Sequence, residues 1–122
     1  MYISGQLGMT QSGALMEGGT LAQAEQALRN IGEILQAAGG TYRDVVKTTV
    51  LMKDIREFSE VNQIYGKFFE HHQPARAAFQ VAALPKGGDI EIEAVALIGN
   101  ISSIITFLPN FPLPKYLEKC ED

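Results

Sequence analysis

The stretch at positions 74–96, PARAAFQVAALPKGGDIEIEAVA, limits what this chain can fold into more than any other. Two strand-like runs flank a Pro-Lys-Gly-Gly turn. Each carries a charge where a buried strand is otherwise apolar: Arg76 in the first and Glu91 in the second. Ionised groups among Val, Phe and Ile are costly to desolvate unless something compensates them. A permanently protonated guanidinium beside such a wall suits a small carboxylate. A carboxylate in the same setting is a candidate proton carrier. Glu93 shares a strand face with Glu91, and one of the two is expected to be a solvated or structural charge.

Two helical stripes precede this stretch. Leu21, Ala24, Ala27, Leu28, Ile31, Leu35 and Ala38 recur at three- and four-residue steps. That spacing makes one apolar face of a helix. Thr20 is its candidate N-cap with Gln23 as the capping-box partner, and Gly39-Gly40 ends it. Phe58, Val61, Ile64, Tyr65 and Phe68 form a second stripe, with Asp54 before it and His71-His72-Gln73-Pro74 closing it. Strands are predicted at 1–7, 45–52, 75–84 and 90–98, with a glycine-rich loop over 8–19. On the second strand Val46, Thr48, Val50 and Met52 share one face, and Val45, Lys47, Thr49 and Leu51 the other.

The order is β-α-β-α-β-β, an α+β fold. Helical crossovers predict parallel pairing of the first three strands, and a short connection lets the fourth run antiparallel. Both helices then cover one face of a mixed sheet. The bare face, rich in Ala, Val and Thr, predicts self-association, with chemistry where subunits meet.

A chain of 122 residues is one domain by default, with a small core that gains from oligomerisation. A net charge of −4 gives no pull toward nucleic acid or anionic membrane, and no apolar run is long enough to span a bilayer. The single cysteine, Cys120, allows no internal disulfide and suits a reducing compartment. With only Cys120, His71 and His72, a metal set would need carboxylates. Phosphate loops, nucleophile elbows and HExxH pairs do not occur, so neither metal nor cofactor is expected. His71 and His72 suit a helix end rather than catalysis. The start shows no secretory signal, so Asn100-Ile101-Ser102 is not expected to be glycosylated. The expected location is the cytoplasm, with mitochondrial association as the other placement. The tail 100–122 differs in kind: Pro109, Pro112 and Pro114 exclude a regular helix or central strand there.

Taken together, YISGQLG, AEQALRNIGEILQAAG, VVKTTV, the VN..Y pattern at 61–65, PARAAFQVAALPKG and IEIEAVA resemble the reactive-intermediate deaminases, also known as perchloric-acid-soluble translation inhibitors. The resemblance spans residues 2–99. It implies a chorismate-mutase-like fold, a homotrimer with clefts between subunits, and cofactor-independent hydrolysis of enamines and imines to 2-keto acids and ammonia. It implies roles for Arg76 on the substrate carboxylate, Glu91 in water activation or proton transfer, Ser4 and Gly5 as cleft lining, and Asn62 near the cleft. Members carry a further strand with a Gly-Pro-Tyr segment ahead of YISGQ. The expected organisation is therefore a deaminase-like domain over 1–99 lacking that strand, followed by an atypical tail over 100–122. Where some bacterial members have Cys, this chain has Ala78.

Read from residues alone, Arg76 could equally pair with a carboxylate across an interface, and Ser4 before Gly5 could be a bulge residue. Two other functions compete with deamination. One is RNA cleavage linked to translation inhibition, which the acidity disfavours. The other is non-catalytic binding of small ligands.

Overall fold

The computed structural model describes residues 1–99. The 100–122 tail, with Cys120, the three clustered prolines and the Asn100 acceptor, lies outside the described residues. The elements are β1 (Tyr2–Leu7), α1 (Gly19–Ala37), β2 (Val45–Met52), α2 (Phe58–Phe68), β3 (Ala75–Gln80) and β4 (Ile90–Ala96). Single 3-10 turns at Tyr42–Asp44, Ile55–Glu57 and Pro85–Gly87 lead into β2, α2 and β4. The α+β class and the β-α-β-α-β-β order are as expected.

The parallel β2–β3 pair and the antiparallel β4 are also as expected, but the pairing of β1 is not. The sheet runs β1-β4-β2-β3, with β4 antiparallel to both neighbours and β2 parallel to β3. The first three strands share a direction, but β1 and β2 never pair, because β4 lies between them. Along β4, Ile90, Ile92, Ala94 and Ala96 are all buried, the alternation of a strand with one face packed on the core. The segment 81–89 carries the chain across to that slot, turning through Lys86 (φ 57°) and Gly87 (φ 68°). Strands β3 and β4 also end earlier than predicted, at Gln80 and Ala96. Their β2 partners are the last and first residues of that strand, Met52 and Val45, so the ladder stops there.

Both helices cover one face. The core joins Leu28, Ile31 and Leu35 of α1 to Val61 and Tyr65 of α2, and to Val50, Met52, Ile90 and Ile92 of the sheet. Each fully buried aliphatic side chain of this kind contributes about 1.5–3 kcal/mol. Helix α1 starts one residue before Thr20, with Gly18 (φ 108°) at its N-cap and no side-chain cap. Gln23 is engaged elsewhere: its amide donates to Asp89 Oδ2 (3.0 Å) and its carbonyl accepts from the Asp89 N–H (2.8 Å). The stop at Gly39 is as expected, with φ at 81°, and Gly40 N–H reaches back to Leu35 O (2.8 Å). In β2 the face assignment breaks at one point. Val45 is buried and Val46 exposed, because the β2–β4 register slips between Val45 and Lys47. From Thr48 onward the predicted alternation is observed.

The other face is bare, as expected. Lys47, Thr49 and Leu51 line it with their partners Ala75, Ala77 and Phe79 on β3 and Val95, Glu93 and Glu91 on β4. Phe79 is 50% exposed. None of the described helices is long and apolar enough to cross a membrane.

Candidate active site

Arg76 stands opposite Thr48 on the edge strand β3. Thr48 is wholly buried beneath α2, so Arg76 also turns toward the helices. Its Nη1 donates to Asn62 Oδ1 (2.8 Å), and its guanidinium lies 4.5 Å from the Tyr65 ring centre and 5.2 Å from that of Phe58. Contacts of this kind hold a cation over an aromatic face. A cleft of about 300 Å³ opens beside it, lined by Asn62, Tyr65, Gly66, Phe69, Gln73, Pro74 and Arg76. Among the described residues no carboxylate forms an ion pair with Arg76. Tyr65 shares a 2.6 Å hydrogen bond with the Thr48 hydroxyl. Burial pushes its phenol above the usual range, against the opposing pull of Thr48 and the Arg76 charge.

Glu91 lies on the other face. It pairs with Leu51 on β2, three residues beyond Thr48. An odd step along a strand reverses the side, and three residues span about 10 Å. Beneath the Glu91 carboxylate is Gly5: a methyl built there would overlap Oε1 and approach Cδ to 2.7 Å. The register shows why. Ile3 pairs with Ala94 and Gln6 with Ile92, so Ser4 and Gly5 together oppose Glu93. This is a bulge, and it brings the β1 backbone against Glu91. Ser4 is exposed, and its carbonyl accepts from Gln6 Nε2 (3.0 Å). The bulge assignment weighed for Ser4 is thus the local structure.

The five expected site residues therefore fall into two groups. Arg76 and Asn62 meet at the cleft beside α2; Glu91, Gly5 and Ser4 meet on the bare face. One chain does not bring the groups together. Asn62 contacts the guanidinium, so its immediate role is to hold Arg76. Tyr65 and Phe58 stood in the sequence as members of a core stripe, Tyr65 also as the last residue of the VN..Y pattern, with no site role attached to either. Their signal was spacing: Phe58, Asn62 and Tyr65 follow at steps of four and three, which places them on one helix face. His72 Nε2 lies 3.0 Å from Val45 O, and the exposed His71 pairs with Glu70. Among the described residues no three His, Cys, Asp or Glu side chains cluster as a metal set.

Residues 1–98 match the family model described as Endoribonuclease L-PSP. The human protein named 2-iminobutanoate/2-iminopropanoate deaminase is 58% identical over 104 residues, covering 84% of this chain and 76% of its own length. Solved structures of relatives share the fold. RidA from the Antarctic bacterium Psychrobacter is 49% identical with a TM-score of 0.76, covering 80% of this chain and 79% of its own. TdcF of E. coli with bound serine is 36% identical with a TM-score of 0.75, covering 80% of each. The chain belongs to the Endoribonuclease L-PSP family, the reactive-intermediate deaminases.

Proposed function

We propose that this chain hydrolyses 2-imino acids such as 2-iminobutanoate and 2-iminopropanoate, and the enamines that tautomerise to them, to 2-keto acids and ammonia. The observation that carries this reading is Arg76, a half-exposed guanidinium at a small cleft, braced by one amide and two rings. Its remaining N–H groups suit a carboxylate in bidentate geometry. A relative with bound serine adds support, since serine carries the same carboxylate and adjacent nitrogen.

Little more is required. With the carboxylate on Arg76, C2 is fixed relative to an attacking water. Protonation of the imine nitrogen makes C2 electrophilic, and water adds there. Glu91 accepts the proton of that water and returns one to nitrogen. The C–N bond then breaks, ammonia leaves and C2 keeps the oxygen as a ketone. For 2-aminoacrylate a proton first adds at C3, giving the imine. Positioned proton transfer of this kind is worth about 10²–10⁴-fold.

Since Arg76 and Glu91 occupy opposite faces, the working site is composite. One copy supplies Arg76 and Asn62, and a second supplies Glu91, Gly5 and Ser4. A ring of three copies gives every Arg76 cleft one Glu91 patch, and heterologous contacts of this kind close as rings. The bare face supports the contact, because exposed Phe79 and the half-covered Leu51 and Val95 form the sort of patch that interfaces use. The deaminase unit is residues 1–99, and the expected compartment is the cytoplasm. An RNA substrate is disfavoured by the net charge of −4 and by Arg29, Lys53 and Arg56 each lying in an ion pair.

The test couples a dehydratase that releases 2-aminoacrylate to this protein and follows pyruvate. The chain should accelerate pyruvate release, and Arg76→Ala should lose the acceleration by about 10–100-fold, the value of a charge-assisted hydrogen-bond pair. Undiminished activity in Arg76→Ala would overturn the reading.

A further inference from the structure

The guanidinium of Arg76 is held at one edge by Asn62, and a single hydrogen bond leaves its plane free to swing. Something else must set that plane. Tyr65 is the nearer of the two rings, at 4.5 Å against 5.2 Å for Phe58. It is also the more constrained. Only 6% of Tyr65 is exposed, its ring packs 4.6 Å from that of Phe69, and its hydroxyl meets Thr48, which is wholly buried. Thr48 is the residue across the rung from Arg76. The three residues close a loop: strand pairing joins Thr48 to Arg76, the hydroxyl pair joins Thr48 to Tyr65, and the ring face joins Tyr65 to Arg76. Asn62 and Tyr65, one helical turn apart, grip the edge and the face of the same cation.

We infer that Tyr65, anchored by Thr48, is a positioning residue that sets the plane in which Arg76 meets the substrate carboxylate. The inference rests on the reading of this cleft as a carboxylate receptor. A carboxylate engages both N–H groups of a guanidinium edge only when the two planes nearly coincide. Losing the anchor therefore weakens the grip on every carboxylate ligand, in the ground state and the transition state alike. Such a loss raises KM and spares kcat.

The experiment measures kcat and KM of the full chain for 2-iminobutanoate released in situ by an amino-acid oxidase. A titration with 2-oxobutanoate, followed by NMR, gives binding without turnover. Three variants grade the anchor. Thr48→Val and Tyr65→Phe keep volume and remove one hydroxyl each; Tyr65→Leu removes the ring. KM and the 2-oxobutanoate Kd should rise together, about threefold for the hydroxyl variants and about tenfold for Tyr65→Leu, with kcat within twofold. In an Arg76→Lys background, where the planar fork is gone, the Tyr65 effect should vanish. If kcat falls with the melting temperature while KM stays fixed, Tyr65 is merely structural and the inference is overturned. If Tyr65→Leu does not fold, an unchanged KM in Thr48→Val and Tyr65→Phe overturns it equally. Wild-type KM and kcat in Arg76→Ala would instead remove the carboxylate-receptor reading itself.

Discussion

The contact between Gly5 and Glu91 gives the sharpest test of the proposed proton carrier, because it alters the carboxylate without touching its chemistry. In Gly5→Ala the new methyl would occupy the space of Glu91 Oε1 and crowd Cδ (2.7 Å) and Cγ (3.0 Å). All three atoms belong to one flexible side chain that opens onto the proposed cleft, so the side chain gives way and the backbone stays. The Gly5 φ lies outside the left-handed region, so alanine adds no backbone strain. Folding stability should change by less than about 1 kcal/mol, or about 4–8 °C in Tm for a domain of this size. The carboxylate must move by an ångström or more, and displacements on that scale cost about 10²-fold in rate. That is about 2.7 kcal/mol of transition-state stabilisation. Steady-state kinetics in the coupled pyruvate assay, paired with a thermal melt, should show kcat down about 10²-fold with the melting temperature shifted by less than that margin. Glu91→Asp shortens the side chain and clears the methyl, so Gly5→Ala should cost little more in that background. Wild-type kcat in Gly5→Ala would refute a catalytic placement of Glu91.

Three other outcomes are expected. Leu28→Ala empties a fully buried core position and should cost about 2–5 kcal/mol, read as a lower urea midpoint. Phe79→Lys puts a charge on the bare face and should shift the protein to monomer in size-exclusion chromatography, with deaminase activity lost in parallel. The hydrogen bond from Arg56 holds the Asp54 carboxyl at about 2, below its usual 3.8. A depressed carboxyl stabilises the fold above its unfolded pKa and loses that contribution as pH falls toward the folded value. Urea midpoints between pH 4 and 2 should therefore fall more steeply in the native chain than in Asp54→Asn. Equal slopes would show that the pairing with Arg56 is inconsequential.

The helices and strands were legible because their evidence is local. The buried part of the α1 stripe from Ala24 to Leu35, the αL stop at Gly39 and the inward Ile90 and Ile92 each depend on neighbours within a few residues. Strand order was not legible, because β4 and β1 compete for the edge of β2 and the winner depends on burial across the whole sheet. The Thr20 cap failed for a related reason: its partner Gln23 finds Asp89, a residue far along the chain. The site divides in the same way. Arg76 and Glu91 were conspicuous as charges in apolar runs, but their faces follow from the register of two different strand pairs. A one-residue slip in either pair would reverse the result. Tyr65 stood in the core stripe and in the VN..Y pattern without a role, since nothing nearby in sequence shows that its ring meets Arg76.

The insertion of β4 between β1 and β2 also sets a timetable. β1 precedes β2 by a helix in the chain, yet its only strand partner among the described residues is β4, so it must wait until synthesis has passed Ala96. Both crossover helices can form during that wait, but the layer they rest on cannot close. A nascent chain arrested before Ile90 would carry an orphaned strand and an unfilled slot, making it a candidate for chaperone capture or degradation rather than a folding intermediate that can rest.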